Sequence, residues 1–217
     1  MANSLQNRER LFLGVIAICG LFALPAQLYL AILNRQAGVG ETIIRFFSYF
    51  TILTNLLVFI LCLALLFPGH NRLHNFFERP TTRTAMAVYI TIVGLVYNAI
   101  LASQWNPQGL QKPVDQVLHT IVPILYVIYW LVYVRTFRLE WRHILPWMLY
   151  PLLYCIYTLL RGPLAGFYPY PFIDVDKLGY TQVLLNISKM IVAFLFVSAV
   201  FVAATRIIHP EEKFKGK

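Results

Sequence analysis

The stretch FSYFTILTNLLVFI, residues 47–60, decides the fold, because it is apolar enough to cross a bilayer and yet carries Ser48, Thr51, Thr54 and Asn55 near its start. The rest of the chain is similarly apolar: 59% of its 217 residues are hydrophobic and 12% are charged, with a mean hydropathy of +0.66. About a quarter of the residues of a soluble domain are charged. The composition therefore excludes a soluble protein and indicates an integral membrane protein.

Six windows of the chain approach the roughly 20 apolar residues that a transmembrane helix needs. They lie at about 11–33, 43–66, 84–104, 114–134, 144–160 and 181–206. These windows predict an all-α integral membrane protein with six transmembrane helices in one bundle. Because the loops between them are short, residues 1–217 are predicted to form a single transmembrane domain, without a soluble domain.

Lys and Arg are divided unevenly between the loops, and this division predicts the orientation. If the N-terminus is inside, the cytoplasmic side holds Arg8, Arg10, Arg72, Arg79, Arg83, Arg135, Arg138, Arg142, Arg206, Lys213, Lys215 and Lys217. The outer side holds fewer, namely Arg35, Arg45, Lys112, Arg161 and Lys177. We therefore expect both termini in the cytoplasm. The net charge of +9 is then a topology signal that suits anionic lipid headgroups, so we expect membrane lipids and no nucleic acid as partners.

Polar residues within the windows fall at a common depth in the outer half of the bilayer, if each helix rises about 1.5 Å per residue. Five helices contribute one each: Gln27, Thr51, Asn98, His119 and Asn186. In the second helix, Ser48, Thr51 and Asn55 share an arc of about 60°, with Thr54 to one side. We therefore expect the second helix to present one polar wall to the bundle.

Three further helices carry stripes of polar or aromatic residues. They comprise Asp115, His119, Tyr126 and Trp130 on the fourth helix, Tyr154 and Arg161 on the fifth, and Asn186 and Lys189 on the sixth. Ionisable groups inside a membrane are costly and usually face a cavity or a partner. We therefore expect His119 and Lys189 to face a cavity.

The polar residues have the types needed for acyl transfer. A hydroxyl nucleophile needs a nearby base, and the base benefits from a third group that fixes its tautomer. Thr51 or Thr54, His119 and Asp115 supply these types at comparable depth. Candidate donors to the oxyanion are Asn55, Asn98 and Asn186, and candidate substrate-binding residues are Lys189, Arg161, Tyr126, Trp130 and Tyr154.

The longest outer connection is RGPLAGFYPYPFIDVDKLGY, residues 161–180, in which aromatic residues alternate with Pro. Pro resists helix formation and favours an extended path. Two interpretations stay open: a semi-rigid functional cover, or an ordinary interfacial loop. Cys19, Cys62 and Cys155 lie in the windows at no metal-like spacing, and we expect neither a metal nor a cofactor.

These stretches also carry a family resemblance. FSYFTILTNLLV, VLHTIVPIL (residues 117–125), YPLLYCIYTLLRGP (150–163) and YPYPFIDV (168–175) resemble the androgen-induced membrane hydrolase family, in particular its bacterial six-helix branch. That family consists of multi-pass threonine hydrolases that cleave fatty acid esters of hydroxy fatty acids. The resemblance implies that Thr51, favoured over Thr54 by its YFTI context, is the nucleophile and that His119 assists it. It also implies a location in the bacterial inner membrane.

Two other functions remain open. A small transporter or channel is compatible with two inverted three-helix units, with Lys189 binding an anion near the midplane. In a non-catalytic lipid-binding membrane protein, the polar stripes would serve only to pack helices.

Overall fold

A computed structural model describes residues 2–67, 69, 72–104, 106–134 and 137–208, of which residues 2–5 and 208 are described by backbone alone. The described residues form helices and turns, with no strand among them, in agreement with the predicted all-α class. Arg135, Lys213, Lys215 and Lys217, which entered the prediction of orientation, lie outside the described residues.

The α-helices follow one another along the chain with short connections. They are α1 (Ala2–Leu33), α2 (Val39–Phe46), α3 (Phe50–Leu66), α4 (Arg72–Glu78), α5 (Pro80–Val96), α6 (Gln111–Gln116), α7 (Val122–Tyr129), α8 (Ile144–Trp147), α9 (Leu149–Ala165) and α10 (Val175–Ile208). Three π-helical turns, Tyr97–Leu101, Val117–Ile121 and Trp130–Val134, extend or join these helices. Short 3₁₀ turns occur at Ala102–Gln104, Trp141–His143 and Pro171–Ile173.

Five helical stretches of the described chain are long and apolar enough to cross a membrane. They are Gln6–Leu33, Pro80–Gln104, Gln111–Val134, Trp141–Ala165 and Val175–Ile207. The pair α2 and α3 makes a sixth if it counts as one broken span, since the two helices meet at an angle of 71°. All six predicted windows thus fall largely on helical segments.

The predicted helix at 43–66 is corrected to two helices with a bend between them. The Ser48 hydroxyl bonds back to the carbonyl of Ile44 at 2.7 Å, and such a bond commonly bends a helix. Tyr49 then takes extended angles, with φ −81° and ψ 126°, which ends the helical path. As a result α3 starts at Phe50, and Thr51 lies in its first turn rather than about eight residues into a continuous helix.

Large aromatic side chains fill the bundle around the start of α5. Tyr126 and Tyr129 are fully buried, and Trp130 is 1% exposed. The Tyr126 hydroxyl donates to the carbonyl of Arg83 at 3.2 Å, and Trp130 Nε1 donates to Thr84 Oγ1 at 2.8 Å. Tyr126 and Trp130 are therefore core residues, which corrects their prediction as substrate-binding residues.

The connection between α9 and α10 packs onto the bundle, and we call residues 166–174 the cover segment. The Tyr168 ring of this segment lies so close to Gly162 that a Cβ added to Gly162 would fall 2.0 Å from the ring. Asn186 Nδ2 donates to the carbonyl of Phe172 at 2.8 Å. Beyond this segment α10 is kinked at Gly179, where φ is 72°, a value that glycine adopts without steric cost.

Candidate functional site

Thr51 lies beneath the cover segment. Backbone N–H groups in the first turn of a helix lack a partner within the helix, and the Thr51 N–H donates instead to the hydroxyl of Tyr170 at 3.1 Å. The same hydroxyl lies 3.2 Å from Thr51 Oγ1. The side chain of Thr51 is 8% exposed. The cover segment thus reaches the predicted nucleophile directly.

The other hydroxyls of the opening stretch are held by tyrosines of α9. Thr54 Oγ1 lies 3.1 Å from the Tyr150 hydroxyl, and Ser48 Oγ lies 2.9 Å from that of Tyr157. The Tyr154 hydroxyl donates to the carbonyl of Ser48 at 2.9 Å. These bonds fasten α9 to the bend before α3 and to α3 itself. Thr54 is fully buried and faces α9, which distinguishes it from Thr51.

Asn55 connects α3 to the π-helical turn that contains His119. Its Nδ2 donates to the carbonyl of Thr51 at 2.9 Å and to that of Leu118 at 3.2 Å. Its Oδ1 is buried and has no hydrogen-bond partner among the described residues. Both amide hydrogens are therefore engaged, and Asn55 positions the two halves of the site rather than offering a donor to an oxyanion.

His119 is oriented by two neighbours. Its Nδ1 lies 3.0 Å from the backbone carbonyl of Asp115 and 3.3 Å from the Asp115 carboxylate. Both are acceptors, so Nδ1 carries the proton of the neutral ring and Nε2 keeps its lone pair. Tyr97 stacks on the imidazole, with ring centroids 3.9 Å apart, and its hydroxyl donates to the other carboxylate oxygen of Asp115. This is the arrangement of a general base held by a carboxylate.

Asn98 holds the backbone of His119 from the opposite side. In a regular α-helix the N–H of Pro123 would bond the carbonyl of His119, but proline has no N–H. Asn98 Nδ2 donates to that carbonyl at 3.2 Å and to the carbonyl of Gly94 at 2.9 Å. Asn98 therefore supports the π-helical turn, and its amide hydrogens are also engaged.

A wide cavity of about 870 Å³ contains Thr51, His119 and Asp115 in its wall. The remaining lining mixes apolar with polar side chains and comes from the ends of several helices; its polar members include Gln27, Asn34, Arg35, Arg45, Gln104, Gln108 and Gln111. Thr54 does not line it. Thr51 Oγ1 and His119 face the same space but form no direct hydrogen bond, and catalytic hydrogen bonds are often long before substrate binds.

A second, smaller crevice of about 70 Å³ also has Thr51 in its wall and is almost entirely apolar. Thr51, Tyr97, Leu101 and Tyr170 line both spaces. The crevice continues between α9 and α10, where its wall includes Tyr154, Cys155, Leu159, Ile187, Met190 and Phe194. Thr51 therefore lines both a wide chamber that carries polar side chains and a small crevice that is almost entirely apolar.

Several predicted site residues lie elsewhere. Lys189 is exposed on the outer surface of α10, so it does not face the cavity as expected. Arg161 forms an ion pair with Glu41 at 2.7 Å and lies outside both cavities. Asn186 bonds the cover segment and is not positioned beside Thr51. Of the predicted substrate-binding residues, Tyr154 alone lines either of the two cavities.

Tyr97 and Tyr170 were missed as individual site residues. Tyr170 lies in the YPYPFIDV stretch that the sequence marked only as a possible cover. Tyr97 directly precedes Asn98, which was selected for its predicted depth in the membrane. The sequence therefore also placed a phenol near that depth, but the prediction did not use it. Within the described part of the chain, no group of three or more His, Cys, Asp or Glu side chains is placed to hold a metal ion.

The arrangement thus brings a hydroxyl, an imidazole and a carboxylate to one cavity wall, with a small apolar crevice next to the hydroxyl. No family model, curated protein or solved structure matches this chain.

Proposed function

We propose that the protein is a six-span membrane hydrolase, with both termini in the cytoplasm, that cleaves lipid esters within the bilayer. Fatty acid esters of hydroxy fatty acids or similar acyl esters are the proposed substrates, and the bacterial inner membrane is the proposed location, in line with the family resemblance. The observation that carries the proposal is that Thr51, His119 and Asp115 line one cavity, with Nδ1 of His119 beside two acceptors of Asp115.

The proposed reaction proceeds through an acyl-threonine. Nε2 of His119 accepts the proton of the Thr51 hydroxyl as Oγ1 attacks the ester carbonyl. The tetrahedral intermediate collapses, and the leaving alcohol takes the proton from His119. Water entering from the wide chamber is then deprotonated by His119 and attacks the acyl group, which releases the acid and restores the Thr51 hydroxyl. Asp115 stabilises the imidazolium that forms in each step.

The two spaces that Thr51 lines suit an amphipathic substrate. The first methylenes of an acyl chain would occupy the apolar crevice between α9 and α10, where burial of each contributes about 0.8 kcal/mol. The polar part of the ester and the attacking water would occupy the wide chamber, which is lined with amide side chains and Arg45. Thr51 would then meet the carbonyl at the boundary between the two.

A small transporter is the second candidate, and the wide cavity with its polar side chains is the observation that favours it. Transport requires a route past the fully buried Tyr126, Tyr129 and Trp130, which fill the bundle around the start of α5. Hydrolysis requires no such route. The hydrolase is therefore the first proposal.

The test uses purified protein in detergent, a fluorophosphonate probe and a panel of fatty acyl esters. Thr51→Val and His119→Ala are expected to lose labelling and to lower turnover by about 10³-fold or more. Thr54→Val is the matched control, because it removes the neighbouring hydroxyl, which faces α9, and should leave both intact.

The hydrolase proposal is wrong if Thr51→Val labels and turns over like the parent protein. Uptake of an anionic lipid into reconstituted vesicles without turnover would instead support the transporter. Binding of lipid with neither uptake nor turnover would support a lipid-binding role.

A further inference from the structure

Acyl transfer at Thr51 needs hydrogen-bond donors for the negative charge that develops on the carbonyl oxygen. The asparagines selected for that role do not provide them in this structure. Asn55 and Asn98 use their amide hydrogens on backbone carbonyls around Thr51 and His119, and Asn186 donates to the cover segment. The donors must come from other groups beside Thr51.

Two donors lie next to the Thr51 hydroxyl. One is the Thr51 N–H itself, which belongs to the first turn of α3 and has no acceptor within that helix. The partial positive charge of a helix N-terminus favours an anion at this position. The other is the phenol of Tyr170, which lies 3.1 Å from Thr51 N and 3.2 Å from Thr51 Oγ1.

The Tyr170 oxygen occupies the space that a carbonyl oxygen would need during attack. An oxyanion must lie about 2.7–3.1 Å from its donors and beside the attacking Oγ1. The phenol oxygen accepts the Thr51 N–H at nearly that distance. An incoming carbonyl oxygen would replace it there and could accept hydrogen bonds from both the Thr51 N–H and the displaced Tyr170 O–H.

We propose that Tyr170 is a catalytic residue whose hydroxyl, together with the Thr51 N–H, binds the oxyanion. This inference rests on the proposed hydrolase function. During attack the electron pair of the carbonyl double bond moves onto the carbonyl oxygen, which both donors stabilise. The phenol proton stays on Tyr170, and the proton of Thr51 goes to His119. When the intermediate collapses, the electron pair returns and the alcohol leaves.

When a carbonyl oxygen binds, the Tyr170 hydroxyl must shift by about one oxygen diameter and still stay near Thr51. The surroundings of Tyr170 suit this requirement. Its ring stacks on that of Phe172, with centroids 5.3 Å apart and planes at 7°, and it meets the ring of Tyr49 edge-on. The cover segment is anchored on both sides of Tyr170, by Tyr168 against Gly162 and by Asn186 at Phe172. These contacts hold the phenol above the first turn of α3.

Tyr170→Phe tests the proposal, with Tyr150→Phe as the matched control. Each variant removes one phenolic hydroxyl that bonds a threonine hydroxyl of α3, but Tyr150 bonds Thr54, which faces α9 and does not line the wide cavity. We expect Tyr170→Phe to lower kcat by about 10²-fold with little change in KM. Tyr150→Phe should retain kcat.

A fatty trifluoromethyl ketone provides a second measurement, because its adduct with Thr51 carries an oxyanion. Its affinity, and the rate of labelling by a fluorophosphonate, should fall in Tyr170→Phe by a factor similar to that in kcat. If the two tyrosine hydroxyls had a merely structural role, both variants would have a lower melting temperature without this loss of affinity and labelling rate.

Unchanged or increased kcat in Tyr170→Phe, with Thr51→Val inactive, would overturn the role of Tyr170 and leave the hydrolase proposal standing. Activity retained in Thr51→Val would instead overturn the hydrolase proposal and the oxyanion role with it. A parent protein that neither labels nor hydrolyses would overturn both.

Discussion

Replacing Asp115 by Asn separates two tasks that a carboxylate beside a catalytic histidine can perform. One is to hold the proton on Nδ1, and the other is to stabilise the imidazolium. In this protein the backbone carbonyl of Asp115 lies closer to Nδ1 than the carboxylate does, at 3.0 Å against 3.3 Å. The carbonyl survives the substitution. Asp115→Asn should therefore keep the tautomer and lose only the charge.

The expected loss follows from that difference. A hydrogen bond to a charged group contributes about 1.5–3 kcal/mol and a neutral one about 0.5–1.5 kcal/mol, so the exchange of this bond alone typically costs about tenfold in rate. The Coulomb attraction of a carboxylate for an imidazolium at about 4 Å is about 4 kcal/mol at an effective dielectric of 20, which sets an upper limit near 10³-fold. We expect about 10²-fold, because Asp115 is 4% exposed and poorly screened.

The assay is turnover of a fatty acyl ester together with the rate of fluorophosphonate labelling. Asp174→Asn is the control: it makes the same substitution at a mostly buried carboxylate of the cover segment, which lines neither of the two cavities, and should retain activity. A loss of about 10⁴-fold, the size seen when the wrong tautomer forms, would show that the carbonyl does not hold Nδ1. No loss at all would refute a role of His119 as a base stabilised by Asp115.

Two further predictions concern the cover segment and the π-helical turn. Gly162→Ala would place a Cβ 2.0 Å from the Tyr168 ring, so it should displace the cover segment, cost about 1–3 kcal/mol of stability and lower turnover. Gly14→Ala, whose Cβ meets nothing within 4 Å, is the control for thermal melting and activity, and equal behaviour of the two would contradict the prediction. Pro123→Ala would restore an N–H opposite the His119 carbonyl and compete with Asn98. We expect unchanged or higher thermal stability but about tenfold lower turnover, and full activity would refute the importance of this turn.

The sequence predicted the helical class and the approximate position of each window because hydropathy reports the length of an apolar run. It did not predict the bend between α2 and α3. The bend lies where the Ser48 hydroxyl bonds to the Ile44 carbonyl and Tyr49 takes extended angles, and hydropathy is insensitive to such local geometry. The polar wall of Ser48, Thr51 and Asn55 was predicted on one continuous helix. In the structure it is divided, because Ser48 precedes α3 whereas Thr51 and Asn55 belong to it.

The candidate site was predicted best where residue type and spacing along one helix decide the geometry. Asp115 and His119 are four residues apart and meet as expected. The partner of Thr51 was not predictable in this way, because Tyr170 is 119 residues away and reaches it through the packing of the cover segment. Lys189 shows the same limit. Its spacing from Asn186 predicts that the two residues share a face of the helix, but not whether that face packs against the bundle.

The π-helical turns show why a local departure from the α-helix does not identify a functional site by itself. Such turns are frequent at functional sites, and two of them here bring Tyr97 and His119 into a stack beside the cavity. The third, Trp130–Val134, has buried ends and lines neither of the two cavities. Its geometry serves packing, with Trp130 Nε1 bonded to Thr84. The site is therefore distinguished by the coincidence of a π-helical turn, a partly exposed histidine with an available Nε2, and a hydroxyl on the same cavity wall.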